Sequence, residues 1–226
     1  MSNTEVQERR FRFGENWLDF ARTLDAHQLA EAELSLRRLL QRDSLAGLSL
    51  LDIGSGSGLF SLAARKLGTF DVVYTWGVLH HTGAMHDALR AAARLVSPGG
   101  LLAFALYHRT LMCGFWRWEK RWYSGASLEA QRRARAIYVA LFRAAFFVTR
   151  RDFQSYVANY HSVRGMDFVH DVHDWMGGYP YESILAPEVD ALMQPLGFAR
   201  IYATGTPLTT GIFGSGCDEY LYRRFG

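Results

Sequence analysis

The sequence predicts an α/β protein: a mostly parallel sheet flanked by helices and interrupted by a helical insertion. Three observations carry that expectation. Short apolar runs alternate with helix-period segments between residues 48 and 107, the first run ends in a cluster of glycines, and the alternation resumes near residue 187 after a basic, aromatic stretch.

The elements follow in order. Residues 1–12 are polar. Asp25-Ala26-His27-Gln28 has the form of a capping box, and Leu29, Ala32, Leu36, Leu39 and Leu40 then fall on one helical face. Leu45-Ala46-Gly47 closes that helix. Leu48 to Ile53 is a short apolar run ending in Gly54-Ser55-Gly56-Ser57-Gly58, the pattern of a buried parallel strand. A helix over Leu59 to Leu67 and a second strand over Phe70 to Thr75 come next. They are followed by a helix over Ala84 to Leu95, a turn at Pro98-Gly99-Gly100 and a third strand over Leu101 to Tyr107. Such a β-α-β-α-β series implies right-handed crossovers. Residues 108–165 break the rhythm and read as a helical cap within a single domain spanning 1–226. A helix over Pro187 to Leu196 and strands over Phe198 to Ala203 and Glu219 to Arg223 complete the chain, with a glycine-rich loop from Gly205 to Gly216.

Composition narrows the function classes. With 226 residues, 49% hydrophobic and 21% charged, the chain is long and apolar enough for a substantial core. A formal charge of +3 gives no argument for nucleic acid, and no such partner is expected. Two distant cysteines, Cys113 and Cys217, read as reduced thiols in a cytoplasmic protein. The most apolar run, Ala136 to Val148, contains Arg143 and is too short to span a bilayer.

Glycine lets the backbone approach a ligand where a strand turns into a helix, and the amides of the helix start then face a polar or anionic group. Gly54, Ser55, Gly56 and Gly58 occupy that place, with Asp52 two residues ahead of the first glycine. A dinucleotide loop would carry its third glycine one position later, where Leu59 stands, and an acidic residue about 20 positions on. A nicotinamide oxidoreductase is therefore disfavoured.

Leu51 to Gly58 resembles the first motif of class I S-adenosylmethionine-dependent methyltransferases. Phe70 to His81 resembles their fourth motif, and Leu95-Val96-Ser97-Pro98-Gly99-Gly100 resembles the turn before their fifth strand. The ubiquinone and menaquinone biosynthesis subgroup is the nearest in appearance. Phe13-Gly14-Glu15-Asn16-Trp17 and the stretch from His170 to Pro180 also resemble members of that group. The resemblance implies a Rossmann-like fold and S-adenosyl-L-methionine as methyl donor. It places the donor on Asp52, Gly54, Ser55, Gly56, Gly58, Trp76, Gly77 and Val78.

One departure is conspicuous. In the family two β-α units separate the first and fourth motifs and supply acidic residues for ribose and adenine. Here the interval from Gly54 to Asp71 holds one helix only. In the family's strand order, 3-2-1-4-5-7-6, the first and fourth strands are neighbours, so one crossover of about 10–12 residues suffices. The expected sheet is then a shortened 1-4-5-7-6, with an exposed edge at its first strand and half a donor pocket. Losing a ribose–carboxylate contact would weaken donor binding by about 1.5–3 kcal/mol.

Methyl transfer to a hydroxyl needs a group that takes its proton, a task suited to histidine. His80 and His81 lie at the carboxyl edge of the sheet, where open α/β folds bind ligands, and His170 lies in a second cluster, His170-Asp171-Val172-His173-Asp174. All three are catalytic candidates. Each has a structural alternative: a helix cap for His80 or His81, a hydrogen-bonded surface loop for the His170 cluster. No metal site is expected, because no cysteine or carboxylate set joins His80, His81 and His86. The acceptor is expected to be a small aromatic or prenylated molecule methylated on oxygen. Phe115 to Tyr123 interleaves aromatic and basic residues. With Ala136 to Val148 it reads as a lid over an apolar substrate, as a peripheral membrane contact through residues 115–150, or as a solvated basic face with its aromatics in the core. Single-stranded nucleic acid is a further alternative for the same pattern. A catalytically silent descendant serving as a binding module is the rival to the enzyme reading.

Overall fold

A computed structural model describes residues 26–45, 47–54, 71–160, 167–205 and 210–226. The loop residues Ser55, Gly56 and Gly58, the helix expected over Leu59 to Leu67 and the Phe13 to Trp17 segment lie outside the described residues.

Five strands form one sheet: β1 (Leu50–Asp52), β2 (Val72–Trp76), β3 (Leu101–Tyr107), β4 (Phe198–Ala203) and β5 (Cys217–Arg224). Their order is β1-β2-β3-β5-β4. β1, β2 and β3 pair in parallel, with Leu50 opposite Val72 and Val72 opposite Leu101. β5 pairs antiparallel with both β3 and β4, so four strands share one direction and β5 opposes them. Counted along the chain, the expected 1-4-5-7-6 neighbours are the neighbours seen here. Among the described residues β1 is an edge strand, and Leu51 is exposed there.

Helices cover both faces of the sheet. α1 (Ala26–Leu40) sets Ala32, Leu36, Leu39 and Leu40 against Val72, Tyr74, Leu101, Ala103 and Leu221. On the other face α2 (Met85–Arg94) contributes Met85, Leu89, Ala92 and Ala93 to a core with Val73, Leu102, Phe104 and Leu106. The strand period of two divides each strand between these layers. β3 is buried along its whole length because its two faces are covered alike, which is why its sequence runs apolar without a break.

Three helices follow β3: α3 (Cys113–Ser124), α4 (Leu128–Val148) and α5 (Phe153–Ala158). α4 starts at a Ser127 cap and α5 at Asp152, whose carboxylate accepts from the amides of Gln154 and Ser155. The stretch read as a possible surface loop at His170 is instead α6 (Phe168–Gly177), capped by Asp167. Phe168, Val172 and Met176 recur every four residues and bury one face against α3 and α4, so hydrophobic spacing prevails over the local density of histidine and aspartate. α7 (Ala186–Met193) and a short 3-10 turn (Gln194–Leu196) lead into β4.

Phe104 lies at the centre of the sheet, fully buried and stacked between Tyr220 and Tyr222, with ring centroids 5.2 and 5.7 Å away. Phe104→Ala is expected to cost about 3–5 kcal/mol of unfolding free energy, read as a lowered denaturant midpoint at unchanged slope.

Candidate active site

Strands β1 and β2 end side by side, and the loops that follow them meet. The amide of Ile53 donates to the Tyr74 carbonyl at 2.8 Å, extending the pairing one residue past β1. Gly54 then turns with φ +77°, and a Cβ built on it would lie 2.5 Å from a methyl carbon of Val78. Backbone angle and space both demand glycine at this point. Gly77, at φ +74°, allows the matching turn after β2. The structure therefore brings Asp52, Gly54, Gly77 and Val78 together at the carboxyl edge. Trp76 belongs to the face under α1, and its indole N–H donates to Glu219 Oε1 at 2.9 Å.

Leu79–His81 forms a 3-10 turn directly after this edge. Neither histidine caps α2. That helix start is served by Glu182, whose carboxylate accepts from the Met85 amide at 3.0 Å, and by Thr82, whose hydroxyl accepts from the Ala84 amide. His80 is fully buried and lies over the Tyr107 ring, centroids 3.8 Å apart. It bonds the Ala105 carbonyl, while its Nδ1 is buried with no partner among the described residues. Burial pushes the His80 pKa well below the usual imidazole range, with the nearby His81 and Lys120 adding to the effect.

His81 is held differently. Its Nδ1 lies 2.9 Å from the Pro180 carbonyl, and the Gly178 carbonyl also engages the ring. A Cβ on Gly178 would fall 2.4 Å from the imidazole, so the glycine makes room for it. Burial lowers its pKa to about 4. His170 belongs to a separate cluster. It sits in the first turn of α6, 3.0 Å from its own cap Asp167, and next to His173. His173 in turn meets Arg135 at 2.9 Å and Tyr123 at 2.8 Å. Among the described residues no group of three or more His, Cys, Asp or Glu side chains is placed to hold a metal ion.

Several polar groups near the edge carried no sequence signal. Lys120, expected on a basic solvated face, is fully buried. Its ammonium lies 3.4 Å from the Trp175 ring centroid, 5.6 Å from those of Trp116 and Tyr181, and donates to the Trp175 carbonyl. Burial lowers the Lys120 pKa and raises that of Glu119 beside it. The Tyr181 hydroxyl bonds Ser215 at 2.8 Å and the Cys113 thiol at 3.2 Å. At the end of β3, His108 Nδ1 lies 2.7 Å from the buried carboxylate of Asp218. These partners are separated by tens to more than a hundred positions in sequence, and only the helical spacing of Trp116 and Lys120 hinted that they share a face. A groove of about 350 Å³ on the cap is lined by residues such as Phe146, Arg151, Tyr156 and Tyr160, apart from the sheet edge.

Residues 62–160 match the family model described as "Methyltransferase domain". That stretch runs from just past the glycine loop through the cap helices. The curated relatives carry the name ubiquinone biosynthesis O-methyltransferase. One from Caulobacter sp. (strain K31) is 44% identical over 50 residues, 22% of this chain and 20% of the relative. One from Caulobacter vibrioides is 29% identical over 113 residues, 31% of this chain and 45% of the relative. The chain thus spans less than half the length of these relatives. Similar solved structures include an S-adenosylmethionine-dependent methyltransferase from Mesorhizobium loti (15% identity, 85% of this chain and 98% of that one, TM-score 0.46). Another is the magnesium protoporphyrin IX methyltransferase of Synechocystis PCC 6803 with bound SAH (13% identity, 88% and 84%, TM-score 0.42). Over residues 62–160, then, the chain is similar to a methyltransferase domain.

A histidine with a depressed folded pKa adds stability above its unfolded pKa and loses it as pH falls toward the folded value. For His81 that window runs from 6.5 down to about 4. The stability advantage of the native chain over His81→Gln is expected to shrink by roughly 1.5 kcal/mol between pH 6.5 and about pH 5. Urea titrations of both proteins across that range check it, and a constant difference would contradict it.

Proposed function

We propose that this chain transfers the methyl group of S-adenosyl-L-methionine to an oxygen of a small aromatic or quinone-like acceptor, with His80 as the base. The observation that carries the reading is the state of His80. It is buried over the Tyr107 ring with Nδ1 unpartnered among the described residues, one turn beyond the edge formed by Gly54 and Val78. The methyltransferase-domain match supports the reaction class. The relatives' name supports oxygen as the methylated atom and a quinone-like acceptor.

The donor supplies an electrophilic methyl on a sulfonium. Asp52, Gly54, Trp76, Gly77 and Val78 are the described residues assigned to hold it, together with Ser55, Gly56 and Gly58 from the sequence. Gly54 and Gly77 bring backbone to the ligand without a side chain in the way. On the acceptor side, His80 Nδ1 takes the hydroxyl proton as the oxygen attacks in line. A bound donor would give up its methyl group to that oxygen and would leave as a neutral thioether. Burial holds both imidazoles well below their usual pKa, with the nearby Lys120 adding to the effect. His81, held on Pro180 and Gly178, positions the turn that carries His80, and His170 serves the start of α6. The donor binds weakly, because the carboxylates that would hold its ribose have no place between Gly54 and Asp71.

Transfer of labelled methyl from S-adenosylmethionine to a set of phenol and catechol acceptors tests the proposal. His80→Gln is expected to lower kcat by about 10²–10⁴ while leaving donor affinity unchanged. Full activity in that variant, or no transfer to any phenolic acceptor by the native chain, would overturn it.

A further inference from the structure

α4 ends in a sharp turn. Arg150 takes a left-handed backbone (φ 55°), and the Arg151 amide donates back to the Phe146 carbonyl at 2.8 Å. α5 then starts at its Asp152 cap, so the end of α4 and the length of α5 enclose a groove of about 350 Å³. Its walls are aromatic. The rings of Phe146 and Tyr156 lie 4.9 Å apart by their centroids, and Tyr156 meets Tyr160 edge to face at 5.4 Å. Most polar groups of the groove are engaged already. The Asp152 carboxylate accepts from the amides of Gln154 and Ser155 and from the Ser155 hydroxyl. The Asn159 side-chain N–H donates to the Ser155 carbonyl at 2.9 Å, and the Tyr160 hydroxyl donates to Asp171 of α6. Arg151 is different. Its guanidinium lies 5.4 Å from the Phe146 ring centroid and meets no carboxylate among the described residues.

The geometry points to a ligand site for a flat aromatic carboxylate. An arginine stacked over a ring keeps its in-plane N–H donors free, and their fork matches the two oxygens of a carboxylate. A carboxylate conjugated to an aromatic ring lies in the plane of that ring. One molecule can therefore pair with Arg151 and lay its ring against Phe146, Tyr156 and Tyr160. A space of about 350 Å³ is at the small end of ligand sites, enough for one or two rings and too small for a helix of another protein. A cationic ligand fits poorly, because Arg151 repels it and the carboxylate that would draw it, Asp152, is committed to the start of α5. The groove shares no residue with those assigned to the donor or with His80. The proposal therefore stands or falls separately from methyl transfer.

Naphthoate is the probe, titrated into the isotope-labelled full chain and followed by amide NMR. We expect saturable shifts at Arg151, Ser155 and Asn159. Binding should be weaker by roughly tenfold or more with naphthamide, which keeps the rings and loses the charge, and with cyclohexanecarboxylate, which keeps the charge and loses the flat ring. Arg151→Gln should weaken naphthoate binding by a similar factor. Its thermal midpoint should match that of the native chain, since the side chain is exposed and the backbone bond to Phe146 remains. The proposal is overturned if naphthoate does not bind, if either control binds as well as naphthoate, or if the Arg151→Gln variant binds it as the native chain does. It is overturned too if the shifts are confined to Gly54, Gly77 and Val78, which would give the aromatic acid to the sheet edge.

Discussion

The parallel pairing of β1 with β2 is the constraint on which the rest of this molecule depends. Leu50 opposite Val72 brings the end of the first strand against the end of the second, and the pairing continues one residue further through Ile53. Only then do Gly54 and Val78 touch, in a contact that leaves no room for a Cβ. A slip of one residue would turn Asp52 from the α1 side of the sheet to the other and move Gly54 away from Val78. The methyl-donor reading and the placing of His80 one turn later both rest on that register.

Beyond this edge, the cap buries a second set of polar groups. α3 and α6 pack together and bury Lys120 among Trp116, Trp175 and Tyr181. Burial lowers the pKa of both nearby imidazoles, and Lys120 adds to that effect. The same helices turn a second set of apolar side chains outward. The cap thus has two apolar surfaces, one packed within the cap and against Tyr107 at the end of β3, and one exposed.

Much of the fold was legible in the sequence because local patterns and burial agree. Leu101 to Tyr107 is apolar without interruption and is the doubly covered central strand, and the spacing of Ala32, Leu36, Leu39 and Leu40 gave α1 its buried face. α6 was harder to read. Its histidines, aspartates and paired glycines suggested a loop, although Asp167 supplied a cap and Phe168, Val172 and Met176 a helical period. The site was legible in part. The neighbourhood of Gly54, Gly77, Val78 and His80 follows from strand ends that any parallel sheet brings together. The hydrogen bond of His108 with Asp218, the cage around Lys120 and the clamp of His81 on Pro180 join distant segments, and they depend on how the cap settles on the sheet.

The central claim is that the donor sits on the edge made by Gly54 and Val78. Titrating the isotope-labelled full chain with S-adenosylmethionine, followed by amide NMR, tests it most directly. The account predicts that the amides of Gly54, Gly77 and Val78 shift together and saturate along one binding curve. Unmoved signals at these three positions at saturating donor, or shifts confined to the cap, would contradict it.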